Sequence, residues 1–494
     1  MKKLLCLLIA LALLCCAAAE DAIKQLRDQM REEFMEDWER LEEDLKVFDE
    51  DADEAFEIVK QKAQEGDPKA MRMMGGAYLS GYKVIRDEQK AFEWTQKAAE
   101  AGDGRGLSDL ALFYLTGIVV EQDIDKGFEL CKKSADMGCD WGLNLMSILY
   151  LEGIGTEKDP QKAFEYAQAA LDAGAEDDEY AMLGQFYLMG VGVEPDEEKA
   201  FECFSKGAEK ENTVCLYYLG KMYQNGIYVE EDYDKAIAYF SRAADRGSGE
   251  AMYVMGELYY FGTGVKQDYA EAFTWYHKSA EANYTMGMCV LFEYYMEGIG
   301  VDPDPEIAFE WLEKAASLGN KEACLVLGHS LRYDWGCEAD PQKAFEWLDK
   351  GTDKEDAEMC LMLGYDYLYG DGESDEPEKA AYFFAKGAEG GDPECIFTLG
   401  VLYANGLGVE KDEKKAFEMI CEAAELGLPK AQYELAMSYY EGDGVEQSYE
   451  KAFEWMLKAA RNGDYEAQQQ LAEMYAEGIG TEPSAARAAY WKNH

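Results

Sequence analysis

Two serines in this chain stand three residues ahead of a lysine, in Ser80-Gly81-Tyr82-Lys83 and Ser448-Tyr449-Glu450-Lys451. At that spacing a lysine can help deprotonate a serine nucleophile, the opening step of acyl transfer. The companions such a site needs are missing, since the sequence holds no S-D-N or K-T-G element and no G-x-S-x-G elbow. A phosphate-cradling G-x-x-x-x-G-K-[ST] loop is absent too. The three histidines, His277, His329 and His494, never adopt a two-histidine zinc spacing, and there is no C-x-x-C pair. The acidic runs at 49–54 and 373–378 lack the alternation and central glycine of a calcium loop. The reading from these residues is no catalytic set, no metal site and no cofactor.

Both serine–lysine pairs fall inside a larger regularity. One position recurs at Tyr78, Tyr114, Tyr150, Tyr187, Tyr223, Tyr259, Tyr295, Leu331, Tyr367, Tyr403, Tyr439 and Tyr475. Every step is 36 residues except one of 37, where the loop at 175–179 carries an extra residue. A fixed period of this size predicts stacked copies of one supersecondary unit. Leu or Met sits four residues before this anchor and a small residue three before, as in Leu219-Gly220-x-x-Tyr223; another small residue lies eight before, as at Ala251 and Ala431. Offsets of four trace one helix face. A glycine turn follows, such as Gly153-Ile154-Gly155 or Gly406-Leu407-Gly408. Asp or a similar residue then precedes a second helix containing Lys-Ala-Phe-Glu-Trp at 343–347 and 451–455, which stops at glycine, as Lys97-Ala98-Ala99 does at Gly102. Lys451 is thus the ordinary repeat lysine and Ser80 an ordinary turn neighbour, so the S-x-x-K matches read as coincidence. Asp334 at the first turn glycine, with Leu331 at the anchor, predicts an altered turn. Phe292 at a small-residue position predicts two helices pushed apart.

These positions, about ten per unit from near residue 52 to the C-terminus, resemble the Sel-one-like repeat family, relatives of the tetratricopeptide repeats. The resemblance implies an all-α fold, an α/α solenoid forming a right-handed superhelix of about twelve helix-turn-helix repeats, and a role as adaptor or scaffold. Some cysteine-rich relatives carry a β-lactamase or penicillin-binding attribution, which makes such a hydrolase the alternative function. In tetratricopeptide relatives the first helix of each unit supplies the concave surface, at six and two residues before the anchor and one and two after. Those offsets select Tyr217, Tyr253, Tyr260, Phe261, His329, Tyr333, Tyr365, Tyr369, Phe397, Tyr433 and Tyr440, whereas early units place Arg72, Ser108, Asn144 and Ala181 at the first offset. Glu257, Glu293, Glu297 and Glu441 interrupt the aromatics. Rings and carboxylates together suit a protein or peptide partner bearing Lys or Arg, through apolar anchoring and cation–π contact. Aromatic rings also stack on sugars, so an envelope polysaccharide is a further alternative. Burial of the rings as inter-repeat packing is the non-binding reading.

The net charge is −53, from 47 basic and 100 acidic residues. No basic stripe exists for phosphates, which excludes nucleic acid as a partner. Lys2 and Lys3 precede an unbroken apolar run at 4–19, too short for a comfortable membrane-spanning helix, and Ala17-Ala18-Ala19 offers small residues for cleavage. The expected organisation is a signal peptide at 1–19, an acidic amphipathic capping helix at 20–51 and the repeat solenoid at 52–494. The expected location is exported, whether periplasmic, secreted or envelope-associated, with no membrane span after cleavage. Cys15 and Cys16 raise lipid anchoring as an alternative, although Leu14 is not the small residue such a site favours; a retained anchor is the third. Ten further cysteines are scattered in repeat phase. Cys203 and Cys215 form the best candidate disulfide, against the reading of all ten as small buried hydrophobes.

Overall fold

The computed structural model describes residues 52–175, 179–370 and 376–492. Among them are twenty-five helices and no strand. After a lone helix, Ala52–Glu65, the helices come in pairs at the period of the sequence, from Pro68–Ser80 with Glu88–Glu100 to Tyr465–Glu477 with Ala485–Lys492. The chain divides into two compact units, one ending at Ala282 and the other opening at Asn283. Each holds six pairs. The signal peptide expected at 1–19 and the cap expected at 20–51 lie outside the described residues.

Local chemistry explains why each pair forms. A first helix ends where its C-cap turns left-handed, as at Gly81 (φ 81°), Gly226 (φ 64°) and Gly406 (φ 66°). The second turn glycine is needed for space as well as for its backbone angle. A Cβ at Gly192 would lie 1.9 Å from the Pro160 carbonyl oxygen, and one at Gly408 would lie 1.9 Å from that of Pro377. The second helix then opens on an acidic N-cap. Asp87 accepts from the Lys90 backbone N–H at 3.1 Å, satisfying a donor the first turn would otherwise orphan. The same Asp87 donates its own backbone N–H to the carbonyl of anchor Tyr78 at 2.9 Å, a bond repeated from Asp123 to Tyr114 and from Asp412 to Tyr403. The repeat lysine completes the clamp, since Lys90 Nζ sits 3.1 Å from Asp87 and 5.3 Å from the centre of the Tyr78 ring. This is the work of the lysine in Lys-Ala-Phe-Glu-Trp. It holds the second helix to the anchor of the first.

The turn at Asp334 corrects an expectation. Asp334 adopts the same left-handed conformation as the glycines it replaces (φ 57°), and its N–H closes the helix on Ser330. Asp is among the few residues that tolerate this conformation, so the turn is retained.

Within each unit the core is assembled from complementary sizes. The small residue three before the anchor faces the residue twenty positions further on, in the second helix. A Cβ at Gly220 would meet the Phe240 ring at 2.5 Å, and one at Gly364 would meet Phe384 at 2.6 Å. Gly256 faces Tyr276 in the same way, at 2.6 Å. Phe240, Tyr276 and Phe384 are buried, each occupying room that its glycine leaves. Phe292, the bulky exception, is partly exposed and meets Phe309 edge-on at 5.5 Å.

Candidate functional site

The first helices carry every aromatic selected from the sequence, and the structure sorts those rings into three groups. Six before the anchor is a packing position. In early repeats it holds the buried Arg72, Ser108, Asn144 and Ala181. Later it holds Tyr217, 6.0 Å from Phe240, and Tyr253, 5.6 Å from Tyr276. Tyr433 is half-buried against the Met456–Leu471 core. Phe397 is a correction to the expected exposed stripe, because it is 5% exposed and packs with Ala423, Ala431 and Leu435. Its offset points between adjacent helices and not outward.

One after the anchor belongs to the turn. Tyr260 lies edge-on to Tyr269 at 5.3 Å, and Tyr440 to Tyr449 at 5.4 Å. A glutamine bridges each pair: Gln267 Nε2 donates to the Tyr260 carbonyl at 2.8 Å, as Gln447 does to that of Tyr440.

Two before and two after the anchor form the open surface. In the first unit this row contributes one ring, Phe261, which is exposed. In the second unit it holds two parallel ring pairs on consecutive first helices. His329 and Tyr333 lie 6.2 Å apart at 7°, and Tyr365 and Tyr369 lie 6.1 Å apart at 14°. Tyr369 is 68% exposed and Tyr365 36%, with the tip of Tyr365 3.3 Å from the Thr398 hydroxyl. Exposed Met362 and Val326, one turn before each pair, extend the apolar surface. Sequence reasoning missed both, although they share one phase five before the anchor. Exposed Trp335 stacks on Tyr333 at 5.2 Å.

A buried cation fixes this surface. The Arg332 side chain is 9% exposed and reaches from Lys321–Tyr333 to Ala357–Tyr369, with Nε 3.1 Å from Asp366 Oδ2. Its Nη1 lies 3.1 Å from Glu376, and its guanidinium sits 3.8 Å from the centre of the Tyr367 ring. The Tyr333 hydroxyl donates to the same Asp366 carboxylate. Burial holds His329 below the ordinary imidazole value, against the opposing pull of Asp366. Burial also raises the Tyr333 hydroxyl, and its bond to Asp366 adds to that. Nothing in the repeat grammar marked Arg332, because its partners lie a full repeat or more downstream.

The serine–lysine pairs serve the repeat. Ser448 caps its helix, accepting from the Lys451 backbone N–H at 3.3 Å, while the Lys451 ammonium lies 5.0 Å from the centre of the Tyr439 ring. Ser80 donates back to the Gly76 carbonyl at 3.0 Å. Cys203 and Cys215 are both free, which corrects the candidate bridge. Cys203 packs against the Ala163–Phe186 cluster, whereas Cys215 is buried in the next one, with its sulfur against Gly207. Among the described residues no group of side chains is arranged to hold a metal ion, and no helix is long and apolar enough to cross a membrane.

The Sel1 repeat family matches this chain twelve times, at 68–103, 105–139, 142–174, 180–212, 213–248, 249–284, 285–320, 321–356, 357–392, 393–428, 429–464 and 466–491. The chain belongs to the Sel1 repeat family, whose helical solenoids are in general non-catalytic scaffolds for protein–protein interaction. Among solved structures, it is similar to a protective antigen of uropathogenic Escherichia coli with this repeat fold. The two are 29% identical over 89% of this chain and 93% of that one, with a TM-score of 0.43. A Sel1 repeat protein of Oxalobacter formigenes is also 29% identical, over 59% of this chain and 84% of that one, with a TM-score of 0.40. An immunity protein of Pseudomonas aeruginosa is 21% identical over 51% of this chain and 81% of that one, at 0.29. No curated protein matches the sequence.

Proposed function

We propose that this chain is an exported, non-enzymatic scaffold that holds a protein or peptide partner rich in basic residues against the first-helix faces of its second unit. The observation that carries this reading is the exposed, parallel ring pairs His329/Tyr333 and Tyr365/Tyr369, held in place by a buried arginine clamp. Exposed aromatics anchored on a rigid element give contact area at low entropic cost. A net charge of −53 favours cationic partners over anionic ones. Export rests on Lys2, Lys3 and the apolar run at 4–19.

Proximity labelling in the exporting host, followed by pull-down with wild type and a Tyr365→Ala/Tyr369→Ala variant, tests the proposal. A saturable partner whose affinity drops by about tenfold or more in the variant is expected. A partner captured equally well by both proteins would rule this surface out.

A further inference from the structure

The open row of the second unit has a spacing as well as a composition. Lys321–Tyr333 and Ala357–Tyr369 are tied side by side through Asp366, and Ala357–Tyr369 meets Pro393–Asn405 through Tyr365 and Thr398. Packed helices stand roughly 8–10 Å apart, so positions of equal phase recur across the repeats at that interval. A ligand backbone crossing them must present side chains on one face at a matching interval. A β-strand repeats its face every ~6.6–6.8 Å. An α-helix returns to one face after seven residues, roughly 10.5 Å. A polyproline II segment, with three residues per turn and ~3.1 Å rise, repeats its face every ~9.3 Å. Only the last falls inside the helix spacing.

The charges along the row suit one kind of occupant. Two before and two after the anchor, the consecutive repeats of this unit read Glu293/Glu297, His329/Tyr333, Tyr365/Tyr369, Val401/Asn405, Met437/Glu441 and Glu473/Glu477. All five glutamates are exposed, and no Lys or Arg occupies either position. The apolar centre is thus bordered by carboxylates at both ends. Burial, and then Glu297 and Glu322, push the Glu293 carboxyl above its ordinary value, so a cation arriving there relieves repulsion.

Resting on the proposed partner-binding function, we infer that this face accommodates a polyproline II segment of about sixteen residues. Proline or another apolar residue at three-residue intervals sits over the two ring pairs, and Lys or Arg lies toward both termini. Rings take the pyrrolidine faces in ridges, and the terminal glutamates take the cations.

Three fluorescein-labelled sixteen-residue peptides of equal charge test this by anisotropy against the full chain. The first is proline-rich with a three-residue apolar period and terminal lysines. The second replaces its prolines with alanine and leucine at helical spacing. The third is a glycine–serine peptide with the same lysines. The first should bind at least tenfold tighter than the others, and Tyr365→Ala/Tyr369→Ala should erase that advantage. Phe261→Ala, in the first unit, should leave it unchanged. If the helical peptide binds as tightly as the proline-rich one, the conformational assignment is overturned and the partner-binding surface stands. The conformational assignment falls alone, too, if no peptide binds while the pulled-down partner still depends on Tyr365 and Tyr369. Equal binding of all three peptides, unmoved by loss of the rings, overturns both readings in favour of unspecific charge attraction.

Discussion

Residues of one type occupy opposite environments here, and their variants should separate accordingly. Tyr369→Ala removes an exposed ring and should shift unfolding by no more than about 0.5 kcal/mol. Phe397→Ala empties a core site and should cost about 3–5 kcal/mol. Urea denaturation of the two variants distinguishes these outcomes, and similar losses would mean that Tyr369 is packed. Asp334→Gly tests the retained turn: the left-handed backbone persists, the Cβ penalty is relieved, and stability should rise by about 0.5–1 kcal/mol. A loss on this substitution would show that the Asp334 side chain contributes more than its backbone costs. Glu257 offers a titration test. Burial raises its folded pKa above the ordinary carboxylate value, opposed by Lys221. Within the window above the ordinary value the folded chain binds more protons than the unfolded one, so stability falls as pH rises through that window. Glu257→Gln should therefore raise the melting temperature at pH 7 and have little effect near pH 4.

At the scale of the helix pair, the glycine facing an aromatic is a single steric unit. Gly364→Ala would drive a methyl group to 2.6 Å from Phe384, an overpacking that should cost about 1–3 kcal/mol. Adding Phe384→Met should restore part of the loss, because the repeat with Ala436 pairs it with the buried Met456. If the two losses simply add, these residues do not share the space the structure assigns them. Arg332 links one pair to the next. Arg332→Met leaves Asp366 and Glu376 without their cation and should cost about 3–5 kcal/mol. Partner affinity should fall with it, because the Tyr333 hydroxyl shares the same carboxylate.

For the whole molecule, charge sets the response to pH. Burial raises the carboxyls of Glu152, Glu250, Glu293 and Glu434 as well. These groups oppose the folded state at neutral pH and relax as they take up protons. The N-cap carboxyls of Asp87, Asp159, Asp196 and Asp232 shift the other way, each lowered first by the backbone hydrogen bond from the lysine three residues on. Their stabilisation is present above the ordinary aspartate value and is lost as pH falls through the folded one. His329, held low, loses its contribution as pH drops below the ordinary imidazole range, but it is one group against several. The melting temperature should therefore climb from pH 8 to a maximum near about pH 5 and fall below about pH 4. A steady decline from pH 7 to 5 by calorimetry would contradict this balance.

The period, the helix pairs and their caps were legible from residue spacing alone, because they rest on chemistry within a few residues of chain. A left-handed C-cap, an aspartate accepting from a backbone N–H three residues on, and a small residue opposite a bulky one recur wherever the same letters recur. The open surface was only partly legible. Tyr365 and Phe397 were both selected by offsets from the anchor, yet one ring faces solvent and the other fills the core. Exposure at a given offset depends on which side chains the neighbouring repeats bring against it, and those lie more than thirty residues away, as Asp366 and Glu376 do from Arg332. The sequence by itself determined what each repeat is made of. Which of its faces remained uncovered was decided only when the repeats packed.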